Sequence, residues 1–272
     1  MKSLQADFFQ VMKEGAIQYA APLPFLDLVC VGTATQTEVM EQIDLMYSLI
    51  DRQVDAIVLV PIDSKALVQP VVEAARKGIL VINIDIRLDA RLLEQAGVEV
   101  AFVGPDNFTA AYEVGKLLSK KLQVRDEVAI IEGLAVADNA QQRKKGFLRA
   151  IEEKGLQLVA SEPADWETSK AAEVFQTLWT RHPDLKAVYC SNDAMALGVL
   201  GQMQQKGRYL PVVGFDNDAV MKEFLSTGKL VATVDIFSSQ MAVRGIEFAL
   251  DVLEGRAENR GEHSTAYSII AC

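Results

Sequence analysis

Two apolar runs of strand length each end in polar residues that could contact a small ligand. The first run begins at Ala187 and leads into Asn192, and the second begins at Leu210 and leads into Phe215 and Asp216. Because ligands bind outside the carboxyl ends of parallel strands, these residues predict a binding site along one sheet edge. Helix N-capping is the alternative role, since Asp and Asn side chains there accept from free backbone N–H groups.

Other strand-end and loop residues could serve the same chemistry. Asp85 follows the apolar run V-I-N-I, and Arg143 stands early in the predicted helix that contains Q-Q-R-K-K-G-F. An arginine there opposes the helix dipole, so it is either a solvated charge or a group that grips ligand hydroxyls with its planar donors. Trp166 lies in the loop P-A-D-W-E-T, where an aromatic face could stack on a sugar ring. This combination is typical of a site for a polyhydroxylated ligand.

Composition and motifs argue against several classes of function. The 272 residues carry a net charge of −10, which disfavours nucleic acid and acidic membranes as partners. His182 and His263 have no nucleophile, carboxylate or metal-ligand spacing beside them, and no phosphate-loop or dinucleotide fingerprint occurs. The three cysteines form no CxxC pair. We therefore predict no catalytic residue, no metal, no cofactor and no enzymatic activity.

Short predicted strands alternate along the chain with predicted helices of 10–15 residues. This alternation indicates βαβ units and parallel sheets. There are too many βαβ units for one sheet, and the alternation of strands and helices is interrupted near Gly104. Two lobes are therefore predicted. Leu26–Val31 and Val98–Val103 are among the predicted strands. The chain opens on the helix Asp7–Ala21 instead of a strand, so the first strand of the first lobe is expected to be missing or truncated.

Motifs spread over nearly the whole chain resemble those of the type I periplasmic sugar-binding proteins, with the ribose binders the most similar. The matching stretches are A-D-F-F, V-D-A-I-V-L-V-P-I-D, V-I-N-I-D, G-P-D-N, N-A-Q-Q-R-K-K-G-F, P-A-D-W, S-N-D-A-M-A-L-G, V-V-G-F-D and G-K-L-V-A-T-V-D. The resemblance implies an α/β fold of two Rossmann-like, doubly wound parallel-sheet lobes joined by a three-segment hinge. It places residues 1–105 and 237–260 in the first lobe and residues 106–236 and 261–272 in the second.

The resemblance also implies a function. The expected protein is a monomeric periplasmic receptor, without a signal peptide in this chain, that captures a sugar or polyol by hinge closure and delivers it to an ABC transporter permease. The ligand-binding residues carried over or placed beside family positions are Phe8, Phe9, Asp85, Arg87, Arg143, Trp166, Asn192, Phe215, Asp216 and Asp235.

Several family positions are altered in the first lobe and hinge. Ile86 stands where ribose binders carry an arginine, with Arg87 one residue later, and Val60 and Ile236 replace polar residues. These changes favour a different pentose, a deoxy sugar, a polyol or another small polar ligand over ribose. The effector-binding core of a lactose-repressor-like regulator and a ligand-sensing domain are alternative functions on the same fold.

Overall fold

Strands and helices alternate in the computed structural model of the protein, which describes residues 1–271. The helices are α1 Asp7–Ala20, α2 Val39–Asp51, α3 Val68–Arg76, α4 Ala90–Ala96, α5 Asn107–Ser119, α6 Asp138–Lys154, α7 Thr168–Arg181, α8 Asp193–Lys206, α9 Met221–Ser226 and α10 Ser238–Leu253. The strands are β1 Ala56–Leu59, β2 Leu80–Ile84, β3 Phe102–Gly104, β4 Glu127–Glu132, β5 Gln157–Pro163, β6 Ala187–Cys190, β7 Val212–Val213, β8 Ala232–Asp235, β9 Glu262–Ser264 and β10 Ser268–Ala271. None of these helices is long and apolar enough to cross a membrane.

The chain divides into two compact units. Unit 1 contains residues 1–105, 136–138 and 237–266, and unit 2 contains residues 106–135, 139–236 and those from Tyr267 onward. The predicted boundary at residue 260 therefore lies six residues too early. The reason is β9, which pairs in parallel with β3 through Phe102 and Glu262 and so extends the sheet of unit 1.

Unit 1 contains a sheet in the order β1-β2-β3-β9, with parallel pairing throughout. Alternate residues of β1 face α2 and α3, where Ile57, Leu59, Met46 and Val71 are buried together. This apolar cluster is the main reason that the amphipathic helices dock on the sheet, because burial of apolar surface is the dominant favourable term in folding.

The predicted strand Leu26–Val31 is wrong as an element of secondary structure, because no strand is assigned there. This segment borders a cavity of about 590 Å³ whose wall also includes β1 and residues of α10, so β1 and the segment are not hydrogen-bonded to each other as strands. Met1 lies at the cavity, where its terminal amine donates to the Val31 carbonyl at 2.8 Å and its carbonyl accepts from Gln42 Nε2 at 3.2 Å.

Unit 2 contains a sheet in the order β10-β8-β7-β6-β4-β5, in which only the β10–β8 pair is antiparallel among the described residues. From β4 the chain moves outward to β5 and then returns to the other side of β4 as β6. The topological switch point is therefore between β4 and β6, and the carboxyl ends of these two strands border the crevice where open α/β sheets bind ligands. A ligand site is therefore expected at the residues that follow β4 and β6.

Close packing of α7 on α8 depends on Gly198, and we expect Gly198→Ala to destabilise the protein by about 1–3 kcal/mol through overpacking. A Cβ at this position would lie 2.1 Å from the Thr168 carbonyl oxygen, which is backbone and cannot rotate away. Gly201 on the same helix provides the matched control, since a Cβ there meets no atom within 4 Å. Gly201→Ala should stabilise the protein by about 0.5–1 kcal/mol. Urea unfolding of both variants tests this pair, and equal free energies of unfolding would contradict it.

Candidate functional site

A buried arginine lies at the switch point of unit 2. Arg143 extends from α6, which follows β4, and is only 2% exposed. Its Nε donates to Asn107 Oδ1 at 2.8 Å, and its Nη1 donates to the Ser191 carbonyl at 2.8 Å and to Asp216 Oδ1 at 3.3 Å. Within residues 1–271, Nη2 makes no hydrogen bond. Three acceptors thus fix the guanidinium plane, and one pair of N–H donors is left for a ligand.

Aromatic rings flank this guanidinium. The Arg143 Cζ lies 3.6 Å from the ring centroid of Phe215 and 5.6 Å from that of Trp166. Both distances are within the range of cation–π attraction, which is strongest where the cation is desolvated. Of the predicted second-lobe residues, the structure therefore brings Arg143, Trp166, Phe215 and Asp216 together.

Trp166 is positioned by a left-handed backbone conformation and by close packing of its indole against a glycine. Asp165 and Trp166 have φ values of +53° and +70°, in the left-handed region that bulky residues seldom adopt. The indole lies over Gly133 at the end of β4, where a Cβ would come within 2.1 Å of the Trp166 Cη2 atom. The ring is 3% exposed, so a loop tryptophan is buried beside Arg143 rather than solvated.

The turn after β7 presents Asp216 in a strained conformation. Asp216 and Asn217 have φ values of +111° and +58°, which cost energy for residues other than glycine. The Asp216 amide donates to the Val234 carbonyl at 2.7 Å, and Asn217 Nδ2 donates to Asp235 Oδ2 at 3.0 Å. Asp235, a predicted ligand contact, is therefore tied to the same turn through Asn217.

Asn192 caps a helix through its side-chain oxygen and keeps its side-chain nitrogen available. Its Oδ1 accepts from the Met195 amide at 2.9 Å, so it is the N-cap of α8. Its Nδ2 has no hydrogen-bond partner in the described part of the chain, and the side chain is 6% exposed. The neighbouring Ser191 Oγ is buried and likewise makes no hydrogen bond within residues 1–271. Both groups can therefore contribute hydrogen bonds to a ligand beside Arg143.

Asp85 occupies an equivalent strand end in unit 1. It follows β2 with a φ of +64° and is 2% exposed. Asn83 supports this turn, because its Nδ2 donates to the Ile86 carbonyl at 2.8 Å and its Oδ1 accepts from the Leu88 amide at 2.9 Å. The buried asparagine inside the apolar run V-I-N-I was the sequence signal for this support.

The remaining unit 1 candidates have protein partners of their own. Arg87 makes two hydrogen bonds to Glu262, of 3.1 and 2.7 Å, and its Cζ lies 4.1 Å from the ring centroid of Phe102. Phe8 and Phe9 are in edge-to-face contact, with ring centroids 5.0 Å apart, and Phe9 is 3% exposed. Their contact with a ligand stays a prediction.

Sequence reasoning missed the contribution of Asn107 to this site. Asp106 and Asn107 follow the strand-like run F-V-G-P as two adjacent capping candidates, and Asp106 does cap α5 through the Thr109 amide at 2.9 Å. Because a single cap suffices, the Asn107 side chain is available to Arg143, 36 positions along the chain. Two adjacent capping candidates were the only local signal for this division of roles.

Comparisons with known proteins agree with the geometry. The model of the periplasmic binding protein domain family matches residues 1–257. A D-ribose/D-allose-binding protein of Pseudomonas aeruginosa is 42% identical, over 94% of this chain and 81% of its own length. The ribose import binding protein of Escherichia coli is 31% identical, over 94% and 83%.

Solved structures show the same relationship. An ABC transporter solute binding protein from Burkholderia multivorans superposes with a TM-score of 0.95 at 38% identity, over 100% of this chain and 97% of its own. One from Actinobacillus succinogenes with bound D-allose gives a TM-score of 0.92 at 30% identity, over 100% and 95%. The predicted two-lobe α/β fold class and the resemblance to type I periplasmic sugar-binding proteins are confirmed. The chain belongs to the periplasmic binding protein domain family.

Proposed function

We propose that the protein is a non-enzymatic receptor for a small sugar or sugar-like polyol. The observation that carries this proposal is the buried Arg143 guanidinium, fixed by three acceptors, with its Nη2 donors unused among residues 1–271. Hydroxyl oxygens of a sugar are suitable acceptors for such donors. A site built to hydrogen-bond hydroxyls rejects analogues that lack them, because its buried polar groups then stay unpaired.

The aromatic residues support a sugar over a more highly charged solute. Trp166 and Phe215 supply apolar surface beside the guanidinium, and the Asp216 carboxylate neutralises its charge. A neutral ligand with an apolar ring face and several hydroxyl groups matches such surroundings. Two relatives are named as D-ribose/D-allose-binding and D-allose-binding proteins, and one related structure contains bound D-allose. These ligands belong to the class that we propose for this protein.

The relatives also support a role in import. The Escherichia coli relative is a ribose import binding protein, and the solved structures are ABC transporter solute binding proteins. We infer that this protein acts in the periplasm as a monomer and delivers its ligand to an ABC permease. The contacts of Phe8, Phe9, Asp85, Arg87, Asn192 and Asp235 with the ligand are part of the same proposal.

A thermal-unfolding screen against pentoses, hexoses, deoxy sugars and polyols tests the proposal. A ligand present at about 100 times its Kd should stabilise the folded protein by about 2.7 kcal/mol and raise Tm accordingly. Glycerol at the same concentration is the control for non-specific stabilisation by polyols. A panel in which no sugar raises Tm above the glycerol control would contradict sugar binding.

A further inference from the structure

Asp193 lies beneath the turn that carries Asp216 and is completely buried. It is the first residue of α8, and its amide donates to the Phe215 carbonyl at 2.7 Å. Its Oδ2 accepts from the Asp218 amide at 2.9 Å. The side chain and main chain of one residue thus hold the turn on both sides of Asp216.

Thr233 on β8 connects this carboxyl group to the sheet. Its hydroxyl donates to Asp193 Oδ1 at 2.8 Å and to Oδ2 at 3.0 Å, and its Oγ1 accepts from the Asn217 amide at 3.3 Å. The turn is therefore hydrogen-bonded at Asn217 and Asp218 to a pair of buried side chains that contact each other.

The backbone before the turn packs closely against this carboxyl group. A Cβ on Gly214 would lie 1.9 Å from Asp193 Oδ1, so the backbone before the turn approaches the carboxyl group directly. The turn itself has two residues with unfavourable positive φ values, which persist only where surrounding contacts enforce them. Asp193 supplies contacts of that kind.

We propose that Asp193 is a positioning residue that holds Asp216 in its ligand-binding orientation. This inference rests on the proposed function for its effect on affinity, whereas its effect on the turn can be measured without any ligand. Asp193 itself is covered by the turn and contacts Thr233 and Asp218, so it acts on the ligand through Asp216 and Arg143.

The protonation state of Asp193 identifies the conservative variant. Burial, and then the nearby Asp218 carboxylate, raise the pKa of Asp193 from 3.8 to about 8, so the group is mostly neutral at pH 7. Asn is a neutral group of the same shape and keeps one oxygen for the Asp218 amide. Asp193→Asn should therefore preserve the turn at pH 7, whereas Asp193→Ala removes the acceptor.

Two measurements on these variants test the proposal. Hydrogen–deuterium exchange of the free protein should show at least tenfold faster exchange of the Asn217 and Asp218 amides in Asp193→Ala and near-native exchange in Asp193→Asn. With the sugar that gives the largest shift in Tm, calorimetry should show at least a tenfold higher Kd for Asp193→Ala and a Kd within threefold of native for Asp193→Asn.

Val199→Ala is the control for loss of stability alone. Val199 is buried on the same helix and its side chain has no polar atom, so its truncation weakens the core of unit 2 without removing a hydrogen bond to the turn. The Kd of Val199→Ala and the hydrogen exchange of its Asn217 and Asp218 amides should stay near native. Equal exchange of the turn in Asp193→Ala and Val199→Ala would overturn the positioning role. Fast turn exchange in Asp193→Ala without sugar binding by the native protein would support that role and refute the proposed function.

Discussion

Replacing Arg143 with methionine is expected to lower the free energy of unfolding by about 3–5 kcal/mol, because the change removes the guanidinium that pairs with a buried carboxylate. The side chains of Arg143 and Asp216 are 3% and 8% exposed, so water cannot easily replace the lost contact. The Asn107 oxygen and the Ser191 carbonyl lose their donor in the same variant. Urea unfolding monitored by circular dichroism measures this loss.

Sugar binding should be lost in the same variant. A hydrogen bond to a charged group contributes about 1.5–3 kcal/mol, and the variant loses both Nη2 donors that the proposal assigns to the ligand. Arg149→Met is the matched control, since Arg149 lies on α6 as well but is exposed. It should change stability by no more than about 0.5 kcal/mol. Similar unfolding curves and Kd values for the two variants would contradict the stabilising and ligand-binding roles of Arg143.

The free energy of unfolding is expected to contain a large pH-dependent contribution from Asp193. Its pKa is raised to about 8 in the folded protein, mainly by burial, against an ordinary value of 3.8. Between these two pH values the folded state holds one proton more than the unfolded state. The contribution is therefore complete below about pH 4 and is lost as pH rises to 8, by about 1.4 kcal/mol per pH unit.

Unfolding of the native protein and of Asp193→Asn at pH 5, 6 and 7 isolates this contribution. From pH 5 to pH 7 the native protein should lose about 3 kcal/mol of unfolding free energy relative to Asp193→Asn. Asp218 and Cys190 also interact electrostatically with Asp193, and both are present in the variant, so the difference removes their separate titrations. Parallel pH profiles for the two proteins would contradict a buried, neutral Asp193.

The alternation of elements and the strand-end residues could be predicted from the sequence because both depend on local pattern. Apolar runs followed by Asn192 and by Phe215-Asp216 marked the carboxyl ends of β6 and β7, and these ends do adjoin Arg143. The order of the motifs identified the family. The hydrogen-bond partners of the Arg143 guanidinium could not all be predicted from the sequence. Bonds such as that from Arg143 to Asn107 join residues far apart in the chain.

Features that depend on partners across the fold were not predictable from local pattern. Leu26–Val31 has the composition of a strand, but strand structure also needs a hydrogen-bonded neighbour, and β1 is not paired with it. β9 is a short, exposed and polar strand whose place in unit 1 is set by its register with β3. Asp193 directly follows the capping residue Asn192, and no local pattern indicates that its side chain is enclosed by Thr233 and the turn at Asp218.

The most direct test of a sugar site at Arg143 uses Trp166 as a fluorescent reporter. The chain has two tryptophans, so Trp179→Phe leaves Trp166 as the only indole, and Trp166→Phe leaves Trp179 as the control. The sugar that raises Tm most is titrated into both variants, with calorimetry on the same samples. If the sugar binds at Arg143, Trp166 emission should change saturably at the calorimetric Kd, and Trp179 emission should show no matching change. Calorimetric saturation of the Trp179→Phe protein with unchanged Trp166 emission would contradict binding at Arg143.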